Sequence, residues 1–371
     1  MSVVAPRRIA RQVSVGGVPV GGGAPVSVQS MTNTRTEDVG ATLGQIGRLA
    51  DAGCDIVRVA VPGRAAAAAL REIVAGSPIP VVADVHFDHR LALAATEAGA
   101  HGLRINPGNI GGRERVAEVA SAAHERGIPI RIGVNSGSLE DDILEREGRP
   151  TAAGMVESAA RHAEMLESAG FSDIVLSLKS SDVIMTIEAN RIMAARSDYP
   201  LHIGVTEAGT VSTGAVRSAV GMGILLADGI GDTIRVSLAG PPEEEVRAGR
   251  AILSSLGLRR RGVTVIACPT CGRTEIDVQR IAERVEAETA AIRADLVVAV
   301  MGCSVNGPGE AREADVGIAG GRDSAVLFRK GERIGVIEAT LMLERLLSEI
   351  RALADEDRPG SISRESAGGV R

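Results

Sequence analysis

Three cysteines and one carboxylate in the last third of the chain have a spacing typical of a metal or iron–sulfur site. Cys268 and Cys271 form a Cys-Pro-Thr-Cys motif, and Cys303 lies in a glycine-rich segment that ends at Glu310. A C-x-x-C motif places two sulfur atoms on one turn, close enough to bind one ion or cluster. Because the fourth cysteine, Cys54, is far away in the sequence, the fourth ligand must be a different group or an open position. Glu310 is the nearest carboxylate that could fill it.

Three kinds of site are compatible with this spacing. A structural zinc site would prefer four Cys or His ligands, but all six histidines lie at or before position 202. A dithiol redox pair does not account for the third cysteine or for its glycine-rich setting. A [4Fe–4S] cluster with three thiolates and one iron open to substrate accounts for both, and the spacing favours it over zinc and the dithiol pair. We expect Cys54, which precedes an apolar run, to pack in the core.

A second set of candidate residues is basic, and each member lies at or near the end of a different apolar run. The set is Arg58, Arg104, Arg131, Lys179 and Arg235. If they converge, they suggest a small substrate with several negative charges, such as a phosphate or diphosphate, because Arg offers paired donors and Lys a point charge. Interior salt bridges explain any single one of them equally well. Five unpaired buried cations would be costly, however, and the acids near the run ends are mainly Asp84 and Glu207.

Uncharged and titratable side chains occupy similar positions. Asn106, Asn135 and Ser237 are candidate substrate ligands, and His86 is favoured over His89 because it lies just past a run end. Glu207 is a candidate acid or base, since a carboxyl group among cations can be positioned for proton transfer. A role as the charge partner of a neighbouring Arg is equally open for Glu207.

The elements that must position these residues alternate between short β-branched runs and Ala-rich amphipathic segments, the pattern of a parallel sheet with crossover helices. Eight strands are predicted, at Val26–Ser30, Asp55–Val59, Pro80–Asp84, Gly102–Ile105, Ile130–Val134, Asp173–Leu178, Leu201–Thr206 and Thr233–Leu238. Eight such units over about 255 residues have the size of a TIM (β/α)8 barrel, whose active site lies at the carboxyl ends of the strands. The segment Gln12–Pro25 is predicted to be a hairpin that closes one end of the barrel.

The predicted organisation is therefore α/β, with a TIM barrel followed by a small α/β iron–sulfur domain. We expect the barrel over residues 1–256, the cluster domain over 257–354 and a disordered tail over 355–371. Within the second domain, a strand Val263–Ala267, a helix Val278–Arg293 and a strand Leu296–Met301 are predicted, and Gly-Pro-Gly-Glu is expected to be a turn.

Composition excludes several classes of protein. The 371 residues carry a net charge of −6, with 44% hydrophobic, 24% charged and 1% aromatic residues. The negative charge and the scarcity of rings argue against nucleic-acid binding, which needs cations and stacking platforms. No run approaches the length of a membrane span, and no signal peptide is evident, so we expect a cytoplasmic protein without a membrane partner.

Nine segments in order carry a resemblance to a known family. They read VQSMTNT from Val28, DIVRV from Asp55, ADVHF from Ala83, LRINPGNIG from Leu103, RIGVN from Arg131, VTEAG from Val205, GDTIRVSL from Gly231, ACPTCGR from Ala267 and GCSVNGPGE from Gly302. Together they closely resemble the bacterial 4-hydroxy-3-methylbut-2-enyl diphosphate synthases. The match runs from about Arg8 to about Ile350, and the short connection between the two predicted domains resembles the two-domain form of this family.

The resemblance implies a specific activity. It implies reductive ring opening and dehydration of 2-C-methyl-D-erythritol 2,4-cyclodiphosphate in the methylerythritol phosphate route to isoprenoids, with flavodoxin or ferredoxin as electron donor. It also implies one [4Fe–4S] cluster per chain, and a homodimer whose active site is shared between chains. The implied cluster ligands are Cys268, Cys271, Cys303 and Glu310, and Glu207 is the implied acid or base. The implied substrate ligands are Arg58, His86, Arg104, Asn106, Arg131, Asn135, Lys179, Arg235 and Ser237.

Two other classes remain as alternatives. The main one is a non-redox barrel enzyme that acts on a phosphorylated metabolite and carries a structural zinc in its second domain. A scaffold protein is less consistent with the sequence, because it would not need polar residues at nearly every strand end. The content of iron and sulfide against zinc distinguishes the first two classes.

Overall fold

The computed structural model describes residues 4–259, 262–290 and 292–356. The chain forms two compact units, Met1–Arg259 and Arg260–Arg371. Of the tail predicted to be disordered, Asp355 and Glu356 complete the last helix, and the remainder lies outside the described residues. None of the helices in these three ranges is both long and apolar enough to cross a membrane.

The first unit opens with the hairpin that the sequence predicts. Strands β1 (Gln12–Val15) and β2 (Val18–Gly21) pair antiparallel around Gly16 and Gly17. Both glycines have positive φ, at 55° and 89°, as a two-residue hairpin turn requires. Valines of the hairpin pack on Ile56, Val82 and Val175 near the starts of three barrel strands. The hairpin therefore covers the amino-terminal end of the barrel and leaves the carboxyl end open.

Eight parallel strands follow, and these confirm the predicted barrel. They are β3 (Ser27–Met31), β4 (Ile56–Ala60), β5 (Val81–Asp84), β6 (Gly102–Ile105), β7 (Ile130–Asn135), β8 (Ile174–Lys179), β9 (His202–Ile203) and β10 (Thr233–Ile234). Their order in the sheet is β8-β7-β6-β5-β4-β3-β10-β9, and a parallel bridge between Leu176 and Leu201 joins the two edges. Buried aliphatic side chains form one core between the strands and the surrounding helices.

The last two barrel strands are shorter than predicted. Leu201–Thr206 and Thr233–Leu238 were expected to be strands, but only two residues of each form the ladder. Beyond them the Arg235 amide donates to Ile203 O and the Thr206 amide donates to Ser180 O, and the chain turns at Thr206 and Glu207. The β-branched pattern continues past the regular ladder because most of these residues are buried at the barrel end.

Nine α-helices accompany the barrel in the described residues 4–259. They are α1 (Val39–Asp51), α2 (Arg64–Gly76), α3 (His89–Glu97), α4 (Arg113–Arg126), α5 (Asp141–Glu147), α6 (Ala152–Ser168), α7 (Val183–Arg196), α8 (Val211–Ala227) and α9 (Pro242–Ser255). Aspartates or a threonine cap four of them by accepting a backbone N–H, as Asp182 does for α7. The sequence did not predict α5 or the 3₁₀ turn Ser136–Ser138, because an element of seven residues or fewer has almost no apolar periodicity.

The second unit is a five-stranded mixed sheet with helices. Its elements are β11 (Val263–Ala267), α10 (Val278–Thr289), β12 (Leu296–Met301), α11 (Gly307–Glu313), β13 (Val316–Gly320), β14 (Ser324–Arg329), β15 (Glu332–Glu338) and α12 (Met342–Glu356). Strands β11, β12 and β13 are parallel, and β14 and β15 add antiparallel to them.

Two local predictions for this unit are wrong. Helix α10 ends at Thr289 rather than Arg293, four residues early. Gly-Pro-Gly-Glu is the first turn of helix α11 and not an isolated turn, with proline near the helix start, where its missing N–H costs nothing.

Candidate active site

The five predicted basic residues all belong to the barrel, and they lie close enough to affect one another. Arg58 lies on β4, Arg104 on β6, Arg131 on β7 and Lys179 at the end of β8, and Arg235 directly follows β10. Burial lowers the pKa of Arg58 to about 10, and the positive charges of Arg235 and Arg104 add to this effect. The predicted convergence of cations from five strands is therefore present in the structure.

Asp84, at the end of β5, binds two of these cations. Its carboxylate lies 3.3 Å from Arg58 Nε and 3.1 Å from Arg104 Nη1. Burial alone would raise the pKa of Asp84, but the charges of Arg58 and Arg104 outweigh burial and hold this pKa well below its usual range. His86 Nε2 lies 3.4 Å from the same carboxylate and accepts a 2.8 Å hydrogen bond from Arg104. The predicted His86 thus lies with the cations, although half of its side chain is exposed.

Arg235 is held by a carboxylate that sequence reasoning missed. Glu245, in the first turn of α9, accepts hydrogen bonds of 3.1 Å from both Nε and Nη2 of Arg235. It also accepts from Ser30 Oγ at 2.9 Å and from the Leu238 amide at 3.1 Å. The sequence did indicate that Glu245 faces the barrel, because Glu245, Gly249 and Ile252 are spaced i, i+4 and i+7 and therefore lie on one face of the helix. A carboxylate on the face that packs against the barrel needs a buried partner.

Arg131 lies deeper, in a polar layer across the barrel. Its Nη1 donates to Gln29 Oε1 at 3.0 Å and to His202 Nδ1 at 3.3 Å, and Gln29 Nε2 donates to Thr233 Oγ1. Because guanidinium groups only donate, the His202 ring is neutral with its proton on Nε2. Burial lowers the pKa of His202 well below its usual value, and the guanidinium groups of Arg131, Arg58 and Arg235 lower it further. In the described residues, Arg131 Nη2 and His202 Nε2 are buried without a hydrogen-bond partner.

Two glycines give the cations room. A Cβ atom on Gly133 would lie 2.6 Å from Arg104 Nε, and one on Gly204 would lie 2.8 Å from Lys179 Nζ. Neither glycine has positive φ, so their function is space and not backbone conformation. Sequence reasoning missed both, because a glycine inside a strand carries no sign of what approaches it.

The remaining predicted barrel residues lie at the same strand ends. Asn106 is buried and accepts from the Gly108 amide at 3.1 Å, and Asn135 ends β7 beside Lys179 in the ladder. Ser237 is half-buried, two residues after Arg235. Glu207 is exposed, with a φ of 51° that is unusual for a residue other than glycine. Among the residues described, Glu207 makes no ion pair, so the structure does not show it as the charge partner of an Arg.

The cysteine residues of the second unit follow adjacent parallel strands. Cys268 comes directly after β11, Cys303 lies two residues after β12, and the Gly302 amide donates to Cys268 Sγ at 3.1 Å. A backbone N–H from Arg273 lowers the pKa of Cys271, and N–H groups at the start of α11, led by that of Asn306, lower the pKa of Cys303. Both effects favour thiolates, the form that binds metals. Cys54, by contrast, is buried, and burial raises its pKa to about 12, as expected of a packing residue.

The predicted cluster ligands, three cysteines and Glu310, lie near the ends of neighbouring strands, but their side chains do not yet surround a common centre. In the three described ranges, no three His, Cys, Asp or Glu side chains are arranged to hold a metal ion. Glu310 lies within the first turn of α11, four residues after the Asn306 cap. The donor types, their placement at neighbouring strand ends and the N–H groups directed at two sulfurs fit an iron–sulfur cluster. Ligation requires the side chains to turn toward a common centre.

Comparisons with known proteins cover nearly the whole chain. Residues 10–250 match the GcpE TIM-barrel domain, and residues 264–352 match the GcpE protein C-terminal domain. Three similar proteins are each named 4-hydroxy-3-methylbut-2-en-1-yl diphosphate synthase (flavodoxin). The one from Geobacter sulfurreducens is 59% identical over 93% of this chain and 98% of its own length. The one from Caldanaerobacter subterraneus is 54% identical over 95% of this chain and 99% of its own length. The one from Magnetococcus marinus is 52% identical over 96% of this chain and 96% of its own length.

Proposed function

Because this chain belongs to the GcpE family, we propose that it converts 2-C-methyl-D-erythritol 2,4-cyclodiphosphate to 4-hydroxy-3-methylbut-2-enyl diphosphate with electrons from flavodoxin. With the linear product as its trianion, the net reaction consumes two electrons and one proton and releases one water. Two C–O bonds of the substrate break, one to a phosphate oxygen and one to a hydroxyl, and a carbon–carbon double bond forms. The diphosphate becomes linear and gains one negative charge.

The observation that carries this proposal is the charge balance at the barrel mouth. Five basic side chains lie between the barrel mouth and the deeper polar layer of Arg131, and two buried carboxylates among them, Asp84 and Glu245, are both already paired. Even without counting Lys179, the four guanidinium groups exceed these carboxylates by two positive charges, which suits a diphosphate better than a single phosphate or a neutral sugar. It also stabilises the charge that appears on the diphosphate when the ring opens, because the donors are already in place before the reaction.

The barrel residues have distinct parts in this proposal. Arg58, Arg104, Arg131, Lys179 and Arg235 bind the diphosphate oxygens, and His86, Asn106, Asn135 and Ser237 offer further hydrogen bonds around it. Asp84 and Glu245 hold three of the guanidinium groups in a fixed orientation, so these side chains lose little conformational entropy when the diphosphate binds. Glu207, exposed on its turn, is the proposed proton donor or acceptor.

We propose that Cys268, Cys271, Cys303 and Glu310 hold one [4Fe–4S] cluster per chain. Bound there, the cluster supplies electrons one at a time and offers an iron without a thiolate ligand to the substrate. The amides at the start of α11 stabilise negative charge on Cys303, and Arg273 does so beside Cys271. These groups offset the mutual repulsion of the negatively charged thiolates.

We also propose a homodimer in which the active site is shared between chains. An apolar stripe supports association: Val216, Val220 and Ile224 recur every four residues along α8 and are exposed, as are Ile184 and Ile192 on α7. Sharing can be tested by co-expressing a barrel variant, Arg104→Ala, with a cluster variant, Cys303→Ser. At limiting substrate, recovered activity that neither variant has alone supports a shared site, and no recovery in a verified heterodimer refutes it.

The cluster is tested by metal analysis. Protein purified without oxygen is expected to contain about four iron and four sulfide per chain. One zinc and no sulfide, after anaerobic reconstitution has failed, would favour the alternative of a non-redox barrel enzyme with a structural zinc.

A further inference from the structure

Lys179 is a largely buried lysine whose amine has no partner among the described residues. It ends β8, only 7% of its surface is exposed, and its side chain makes neither an ion pair nor a hydrogen bond within the described residues. Its Nζ lies against the backbone of Gly204, close enough that a Cβ atom there would be 2.8 Å away. The side chain thus lies against β9 and the segment that follows it.

The groups that face Lys179 are nearly all positive or neutral. Arg131 on β7, Arg58 on β4 and Arg235 after β10 are the cations, and His202 on β9 is neutral. The one carboxylate among these neighbours is Glu245 of α9, which already accepts four hydrogen bonds from Arg235, Ser30 and the Leu238 amide. No acceptor in this set remains available for an ammonium group.

Both burial and repulsion would destabilise a charged amine at this position. Burial removes the hydration of the ammonium, and three guanidinium groups, which cannot release a proton, repel it. Both effects lower the pKa of Lys179 well below its usual value, burial more than the neighbouring charges. Of the five mouth cations, Lys179 is therefore the one that can shed its charge when no anion is present.

We propose that Lys179 is a neutral amine in the empty barrel and takes up one proton from solvent as the cyclic diphosphate binds. This inference rests on the proposed function, because the diphosphate supplies the negative charge that turns an unfavourable ammonium into a favourable one. The step is a simple protonation of the amine, with no bond to the ligand formed or broken. The ammonium then donates to diphosphate oxygens beside Arg131 and Arg235.

Proton uptake gives the binding a defined pH dependence. The pKa of Lys179 is low in the free enzyme and higher in the complex, so the complex binds one more proton between the two values. Across that window the affinity falls about tenfold for each unit of rising pH, which is the linkage expected for one proton. Below the window both states are protonated and the affinity is constant.

Calorimetry of the full-length oxidised holoenzyme with 2-C-methyl-D-erythritol 2,4-cyclodiphosphate tests the proposal. Each phosphorus of this ligand carries one ester bond and one anhydride bond and keeps a single, strongly acidic oxygen, which does not titrate near neutrality, so the proton must come to the protein. Titrations in buffers of different ionisation enthalpy, at several values between about pH 7 and pH 9, are expected to give an uptake approaching one proton per barrel. Without reductant the ligand is not consumed.

Two variants assign the proton. Lys179→Met keeps the length of the side chain and is expected to bind more weakly with no uptake, whereas the matched mouth variant His86→Gln is expected to keep the uptake. Binding to the unmodified enzyme without uptake at any pH, or uptake that persists in Lys179→Met, would overturn the proposal and leave the proposed function intact. Absence of binding by the unmodified holoenzyme would overturn both.

Discussion

Replacing Gly133 by alanine should weaken substrate binding without unfolding the barrel. The added Cβ would lie 2.6 Å from Arg104 Nε, 2.8 Å from Nη2 and 3.0 Å from Cζ. Ordinary contact needs about 3.5 Å, so the guanidinium must retreat by about 0.9 Å. Because Arg104 Nη1 is only 3.1 Å from Asp84 Oδ1, a shift of this size disturbs the geometry of their hydrogen bond and moves the guanidinium from its position in the site. The strand itself is not strained, since the clash is with the end of a flexible side chain.

The expected magnitude follows from the contacts that Arg104 loses. One hydrogen bond between charged groups is worth about 1.5–3 kcal/mol, and a displaced Arg104 loses a contact of this kind with the diphosphate. The KM should therefore rise about 10- to 150-fold, while kcat changes less and the melting temperature stays within a few degrees. Steady-state kinetics without oxygen, with reduced flavodoxin as donor, measures the split between KM and kcat.

A matched control is available four residues away. A Cβ atom on Gly137 would meet nothing within 4 Å, so Gly137→Ala should leave both parameters unchanged. If Gly133→Ala folds and binds substrate as tightly as the unmodified enzyme, then Arg104 is not positioned as the structure indicates, and the reasoning is refuted.

Three other substitutions test separate parts of the site. Arg104→Ala should raise KM strongly and lower the melting temperature only slightly, and an unaltered KM would show that Arg104 does not bind the diphosphate. Glu245→Gln breaks the buried pair with Arg235 and should cost about 3–5 kcal/mol of stability, or a melting temperature lower by about 6–20 °C for a unit of this size; a calorimetric scan that matches the unmodified enzyme would show that the pair contributes little. Glu310→Ala should keep the fold but lower the iron content or slow turnover, and normal activity with an intact cluster would exclude Glu310 from the mechanism.

The barrel itself could be predicted because its signals are local. Strands with β-branched residues and helices with apolar residues at three- and four-residue spacing are visible in the sequence, and Gly102–Ile105 was predicted to the residue. The short helix α5 was not, because the two turns of Asp141–Glu147 are too few to show a periodicity. The two shortest strands were overextended, since burial at a barrel end preserves the β-like pattern after the ladder has ended.

The site could be predicted only in its residue types. The position of Arg235 at a strand end indicated a mouth cation, but its partner Glu245 lies on a helix, and their pairing depends on how α9 packs. The bond between Arg131 and Gln29 joins residues 102 positions apart, which no local pattern can indicate. The space that Gly133 leaves for Arg104 is likewise a property of the assembled barrel. The spacing of the cysteines favoured an iron–sulfur site, but it could not indicate how the side chains are arranged, and within the described residues they do not form a closed set of ligands.

The most direct test of the proposed function is a ³¹P NMR measurement of turnover without oxygen. The reconstituted enzyme, reduced flavodoxin and 2-C-methyl-D-erythritol 2,4-cyclodiphosphate should yield the signals of a linear diphosphate ester, with two electrons consumed for each molecule formed. Protein without the cluster should give no conversion. If the enzyme with an intact cluster and a reduced donor leaves the cyclic diphosphate unchanged, the proposed reaction is wrong.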